Sequence, residues 1–297
     1  MASTSAHHSA TRARLNRIVL GTDFSPVASR AASYAKGLAV SHSARVDLVH
    51  VFDTDVYLDD REPRLRTLED RLAMRSARLQ ALAATFAQAG IAVKTELPMM
   101  QPGWRALLNS AETDRADLIV VATRSKPQLK RVFVGSTVEE LIRHATLPVL
   151  TVGPHVPEAA TSPLVFRRML YATNFPAEAE RAARAALMFA AHDQAKMFVA
   201  HVIGCKQNGG TEAAKEGDAR QNLERVMQKS PLGEFGCELV VACGDPAPAI
   251  LTLAEKVQAD LIVMGPRKRT FLLTHVRRGV TLEVLAQARC PVLTVQG

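Results

Sequence analysis

The chain repeats itself, and that constrains the fold more than any other feature. "RIVLGTDFSPVASRAASYA", beginning at Arg17, returns as "RMLYATNFPAEAERAARAA", beginning at Arg168, an offset of 151. The same offset relates "RVDLVHV" (Arg45–Val51) to "KMFVAHV" (Lys196–Val202) without a gap. Thr22, Phe24, Arg30 and His50 recur as Thr173, Phe175, Arg181 and His201. Two further anchors agree at an offset of 143: "ADLIVVATR" from Ala116 with "ADLIVMGPR" from Ala259, and "PVLTV" at Pro148 with its copy at Pro291. Self-similarity on this scale means two copies of one folding unit, and 297 residues suit two domains. The expected division is a disordered tail over residues 1–14, a first unit over 15–153, a linker rich in Pro and small residues over 154–164, and a second unit over 165–297.

Each unit alternates short β-branched runs with Ala-rich amphipathic stretches. In the first copy the runs are IVL, VDLVHV, AVKTEL, DLIVVA and PVLTV. Five strands alternating with helices predict an α/β fold: two tandem doubly wound units, each a five-stranded parallel sheet with helices on both faces. Five strands per unit suit a flavodoxin-like or related open sheet, and the expected strand order is 3-2-1-4-5. The closing "PVLTV" strands are then edge candidates that need cover. The two units are expected to pack about a pseudo-twofold with these edges close together, and a homodimer of chains is also open.

Ligands in such sheets bind beyond the carboxyl ends of the strands, where strand order reverses. Two loops carry polar residues there. "GTDFSP" (Gly21–Pro26) follows strand one, and "ATRSKPQLKRVFVGST" (Ala122–Thr137) follows strand four. Strands one and four are neighbours at the reversal, so the loops face each other. Asp23 can accept from an adenine amine or a ribose hydroxyl; alternatively Asp23 or Ser25 caps the next helix. Gly135, Ser136 and Thr137 open a helix whose free N–H groups and dipole favour phosphate. The competing reading is an ordinary N-cap with Glu139 or Glu140 as its box partner. Lys126, Lys130 and Arg131 are available to neutralise phosphate, or are simply solvated.

These residues resemble the universal stress protein family. The tokens are "VLGTDFSPVASRAASYA", "LVHV", "ADLIVVATRSK" and "VGSTVEELIRHATLPVLTV", in this order and spacing, and the resemblance covers almost the whole chain, twice. It identifies a tandem member, with a stress-response regulatory role. Nucleotide-binding members of that family carry a G-x2-G-x9-G-[ST] loop around ATP phosphates. Ala122 stands here for the first Gly and Ser125 for the second, and the nine residues Lys126–Val134 then precede Gly135-Ser136. The resemblance implies that Asp23 and the Val51 region hold adenine and ribose. It implies that the loop, with Arg124 between Ala122 and Ser125, holds the phosphates of ATP, with or without Mg²⁺. Ala and Ser resist positive φ by roughly 1–2 kcal/mol, so the effect of the two substitutions depends on whether the loop needs that conformation.

The second unit departs further. Asn174 replaces Asp23, Lys268 takes the second Gly position, and the 143 offset sets Gly135 against Arg278 and Ser136 against Gly279. Its basic loop also carries Arg267, Arg269 and Arg277. The second unit is therefore expected to be degenerate as an ATP site and mainly structural.

Composition excludes several classes. No apolar run approaches the ~18 residues of a membrane span. The polar, basic start "MASTSAHHSATRAR" is not read as a secretory signal. Cys205, Cys237, Cys243 and Cys290 form no CxxC pair, so each is read as a buried or spare thiol in a reducing cytoplasm. A net charge of +8 favours anionic partners, but no helix-turn-helix, zinc motif or aromatic-basic platform points to nucleic acid. His50 and His201 have no second ligand type at metal spacing and read as satisfied core histidines, and Trp104 as packing at a helix start. No Walker GxxxxGK[ST] or SGGxDS loop is present, so dedicated catalysis is not expected; weak ATPase or self-phosphorylation on Ser136 or Thr137 stays open. The alternative function is a nucleotide-independent interaction or chaperone-like module.

Overall fold

The computed structural model describes residues 14–52, 67–123, 134–160, 162–174, 179–204, 212–230, 232–265 and 279–296. The first unit runs β1 (Arg17–Gly21), α1 (Pro26–His42), β2 (Arg45–Val49), α2 (Leu68–Ala87), β3 (Val93–Glu96), α3 (Gly103–Thr113), β4 (Leu118–Ala122), α4 (Ser136–His144) and β5 (Val149–Val152). The second repeats the plan: β6 (Arg168–Ala172), α5 (Ala179–Asp193), β7 (Lys196–Ile203), α6 (Glu212–Gln228), β8 (Glu238–Cys243), α7 (Pro246–Lys256), β9 (Leu261–Met264), α8 (Val280–Gln287) and β10 (Val292–Thr294). The strands form one ten-stranded sheet, ordered β3-β2-β1-β4-β5-β10-β9-β6-β7-β8. Each half reads 3-2-1-4-5, and the two orders mirror each other about the centre.

The centre is the only antiparallel junction among the described pairings. β5 and β10 pair Val149 with Thr294, Leu150 with Leu293 and Thr151 with Val292. The two "PVLTV" edges thus satisfy each other's main-chain groups, which leaves β3 and β8 as the outer edges. The described residues of the linker are held against α1. Arg30 on α1 donates to the carbonyls of Pro154 (3.0 Å) and Val156 (2.9 Å), and Leu164 N–H donates to Gly37 O at 3.0 Å.

Strand alternation sorts the core into two layers. Ile18, Leu20, Val46, Leu48, Leu118 and Val120 face α1 and α2, together with Leu38, Leu79 and Phe86. Val19, Val49, Ile119 and Val121 face α3 and α4, together with Leu107 and Leu141. Strands buried on both faces are what near-continuous runs such as "DLIVV" require. The halves share both layers, since Phe189 on α5 joins the first and Val284 on α8 the second.

Helix ends follow local chemistry. Ser25 is the N-cap of α1, its hydroxyl accepting from Ala28 N–H at 3.2 Å, with Pro26 in the first turn. Ser25→Ala is expected to cost about 1 kcal/mol, read as a lower urea midpoint. Thr67 and Asp70 form a capping box at the start of α2. Beyond its end Gly90 sits at φ +76, and Ile91 N–H reaches back to Phe86 O at 3.2 Å.

The cysteines bring one correction. Cys237 and Cys290 are free, but Cys243 at the end of β8 is disulfide-bonded, with its partner outside the described residues. The register sets Cys243 beside Ile203 at the end of β7.

Candidate functional site

The carboxyl ends of β1, β2 and β4 open into a cavity of about 820 Å³. Its walls come from four places: the β1–α1 turn (Gly21 to Ser25), the end of β2 (Val49 to Phe52), the starts of α2 and α3, and the β4 end with the first turn of α4. Asp23, Val51, Ala122, Gly135, Ser136 and Thr137 all line it, so six of the residues expected from sequence converge. Arg124 and Ser125 lie outside the described residues, as do Lys126, Lys130 and Arg131.

The β1–α1 turn is built around a residue in the left-handed region. Phe24 has φ 59. Its N–H donates to Thr22 Oγ1 at 3.1 Å, and Ser25 N–H donates to Asp23 Oδ1 at 2.8 Å. Asp23 therefore shapes the turn, while Ser25 caps the helix. His50 braces the turn from below. Its Nδ1 lies 2.8 Å from the Thr22 carbonyl, which can only accept, so Nδ1 carries the proton. Burial holds the His50 pKa below its ordinary value, with the Thr22 hydrogen bond only partly opposing it. His201 repeats the contact to Thr173 O at 2.9 Å. Both histidines are thus satisfied structural groups, although His50 also forms part of the cavity wall.

Val51 owes its availability to the same turn. Thr22 N–H bonds Val49 O at 3.0 Å, the last rung between β1 and β2 among the described residues. Peptide groups two residues along a strand point the same way, so those of Val51 face the side from which β1 has turned away. Among the described residues its N–H and C=O meet no protein partner. A donor and an acceptor are left side by side on the cavity wall.

Ala122 is the last residue of β4, paired with Val152. It is absent from the described residues with positive φ. A β-carbon at this position therefore costs no backbone strain. Gly21 is different. A Cβ there would stand 2.9 Å from a Leu107 methyl and 3.1 Å from a Val121 methyl, so a larger residue would make these side chains shift.

At α4 the capping-box reading of the helix start does not hold. Gly135 is the N-cap, with φ −61, ψ 145 and no side-chain cap bond. Glu139 pairs with Arg143 at 3.1 Å, and Glu140 with Arg143 at 3.1 Å and His144 at 3.3 Å, so no capping box forms. Among the described residues a Cβ added at Gly135 would meet nothing within 4 Å. The N–H groups of Ser136, Thr137 and Val138 have no backbone acceptor among the described residues, and two hydroxyls stand beside them. The second unit keeps a glycine N-cap at Gly279, one position off the 143 offset, because α8 is one residue shorter than α4. Val280 and Thr281 there replace Ser136 and Thr137, and Asn174 replaces Asp23. The basic loop of the second unit, with Arg267, Lys268, Arg269, Arg277 and Arg278, lies outside the described residues.

Several wall residues were not singled out from sequence. Arg71 and Arg75 on α2, Gln101 before α3, and Gly103 at its first position all line the cavity. Trp104, the chain's only Trp, follows Gly103 and stacks on His144 of α4 at 4.5 Å and 11°. Among the described residues no group of three or more His, Cys, Asp or Glu could hold a metal ion, and no helix is long and apolar enough to cross a membrane.

The comparisons with known proteins converge. A sequence model of the universal stress protein family matches residues 14–153 and again 166–296. A universal stress protein of Thermus aquaticus is 33% identical over 136 residues, which are 46% of this chain and 96% of that protein. Another, from Methanocaldococcus jannaschii, is 30% identical over 138 residues, 46% of this chain and 81% of that protein. At full length, the crystal structure of a universal stress protein from Archaeoglobus fulgidus superposes with a TM-score of 0.71 at 20% identity, covering 95% of this chain and 97% of that one. With the family matched once in each half, and with each half carrying the 3-2-1-4-5 sheet, the chain belongs to the universal stress protein family as a tandem, two-unit member.

Proposed function

We propose that the first unit binds an adenine nucleotide, ATP or a close relative, and that the chain is a stress-response regulatory protein whose partner contacts depend on that occupancy. The observation that carries this reading is one cavity joining three complementary walls. The unspent N–H and C=O of Val51 suit the edge of adenine. The Asp23 carboxylate suits ribose hydroxyls. The open N-terminus of α4, with Ser136 and Thr137, suits phosphate. A cavity of about 820 Å³ falls within the ~300–1,000 Å³ usual for small-molecule sites.

Magnesium, where it takes part, enters with the phosphates in this reading. Asp23 alone among the described wall residues is an acid. The walls thus offer binding and orientation but little for hydrolysis, which needs a positioned base or metal ligands. The second unit acts as the structural half, supplying β10 to cover β5. No nucleic-acid role is assigned, and the protein partner is left open.

Mass spectrometry of the nucleotide that co-purifies with the full chain tests the reading without a guess at the ligand. An adenine nucleotide is expected. Asp23→Ala should weaken ATP binding by about 10-fold, the loss of one charge-assisted hydrogen bond. ATP affinity unchanged by that substitution would remove Asp23 from the site. Protein that shows neither bound nucleotide nor a thermal shift at millimolar ATP would favour a nucleotide-independent interaction module.

A further inference from the structure

The brace beneath the β1–α1 turn uses one ring nitrogen of His50 and leaves the other. Nδ1–H donates to the Thr22 carbonyl at 2.8 Å, so in the neutral ring Nε2 carries a lone pair and can only accept. Burial favours that neutral ring, and the Arg75 and Arg78 charges of α2 add to it, against the opposing pull of the Thr22 hydrogen bond and Asp23. Nε2 meets no partner among the described residues, yet it is not sealed in protein as His42 Nε2 is. The ring forms part of the cavity wall. Phe24, 4.5 Å away between ring centroids and tilted by 43°, packs on the imidazole and helps to fix its plane.

The chemistry of a nucleotide limits which of its groups can meet such an atom. Phosphate oxygens that have lost their protons only accept, so they offer Nε2 nothing. The donors of an adenine nucleotide are its exocyclic amine and its ribose hydroxyls. The peptide groups of Val51 suit the edge of the base, which leaves the hydroxyls for the imidazole. Position agrees with this division. Gly21 and Val49 are partners in the β1–β2 register, so Asp23 and His50 follow that rung by two residues and one residue on neighbouring chains ~4.8 Å apart. His50 feels the charge of Asp23 directly. A ribose presents two adjacent hydroxyls, and the wall sets a carboxylate and an imidazole nitrogen near each other to receive them.

We propose that His50 Nε2 accepts a hydrogen bond from a ribose hydroxyl of the bound nucleotide, so that His50 recognises the sugar beside Asp23 and the cavity selects nucleotides whose ribose hydroxyls are free. The inference rests on the nucleotide reading above and specifies its ligand class. One imidazole then has two tasks. Its Nδ1–H holds the turn that carries Asp23, and its Nε2 reads the ligand that the turn presents.

The test titrates the full-length chain with ATP and with 2′,3′-dideoxy-ATP by calorimetry. Wild-type protein should bind ATP at least about 10-fold more tightly, because both sugar hydrogen bonds go with the hydroxyls. His50→Asn can set an amide N–H where Nδ1–H stands and keep the bond to Thr22, but it has no atom at the Nε2 position. That variant should lose about fivefold in ATP affinity, with dideoxy-ATP affinity changed less than about twofold. A purely structural role would move both ligands together. Asp23→Ala tests the same point with His50 intact: a preference for ATP of about threefold or more should persist. Its disappearance would leave Asp23 as the only sugar acceptor and overturn the inference. Equal affinity of the wild type for the two ligands overturns it as well and leaves the nucleotide site standing. So does an equal loss for both ligands in His50→Asn, or no loss for either. Failure of both ligands to bind wild-type protein overturns the nucleotide reading and this inference with it.

Discussion

Gly135→Asp should lose at least about 100-fold in ATP affinity, equivalent to ~2.7 kcal/mol, without lowering the melting temperature. The two halves of that expectation have separate causes. Gly135 holds φ −61 and ψ 145, which any L-residue adopts. Among the described residues its added Cβ would meet nothing within 4 Å, and Asp is among the preferred N-cap residues, so the helix tolerates or welcomes it. The same side chain would fill the space offered to phosphate. Two unit charges 4 Å apart repel by about 4 kcal/mol at an effective dielectric of 20, which exceeds the loss predicted. Calorimetry with ATP and a thermal melt of the same sample check both halves. A loss of affinity below about threefold would place the phosphates elsewhere.

Acid should loosen the joint between the units. His42, at the end of α1, is buried and stacks on His192 of α5 at 3.8 Å between ring centroids and 21° between planes. Arg14 donates to the His42 carbonyl, and His192 pairs with Asp193 at 2.6 Å. His42 Nδ1 accepts from Leu15 N–H at 3.4 Å, and its Nε2 is buried without a partner among the described residues. Burial first, then the neighbouring His192 and Arg14, pull its pKa from 6.5 to about 4. The folded state thus keeps the ring neutral where the unfolded chain protonates it. Stability from this site is fully present above pH 6.5 and is lost as pH falls through that value towards 4. The shift corresponds to at most about 3 kcal/mol. Urea denaturation at steps from pH 7.5 to 4 should show the fall, and His42→Phe should flatten the part of it between 6.5 and 4. An unaltered pH slope in that variant would mean that other groups carry the acid sensitivity.

Much of the fold could be read directly from the chain, because repetition and alternation are periodic signals. The copies of "ADLIVV" and "PVLTV" marked β4, β9, β5 and β10, and a five-strand unit with short turns admits few topologies. The site was legible where local chemistry is local in sequence: Asp23 in a strand-to-helix turn, and Gly135 before an amphipathic helix. It was less legible where tertiary placement decides. Arg71 and Arg75 look like ordinary exposed arginines until α2 is set over the strand ends. Val51 matters through peptide groups that every residue possesses; only the departure of β1 at Phe24 leaves them unpaired. The strain feared at Ala122 depended on a dihedral angle, and the angle proves to be that of a strand. Cys243 was misread because nothing in the spacing of the four cysteines marks a disulfide.

The asymmetry between the halves follows from the same parts. Both units keep the sheet, the histidine brace and a glycine N-cap, so the second unit remains a sound scaffold. Asn174 removes the carboxylate, and Val280 removes a hydroxyl. A nucleotide site is thereby expected in one half only, held by a partner unit that covers its edge strand. Calorimetric titration of the intact chain with ATP and Mg²⁺ tests this most directly. Saturable binding with one nucleotide per chain is expected. Two nucleotides per chain, or no saturable heat at millimolar ATP, would contradict it.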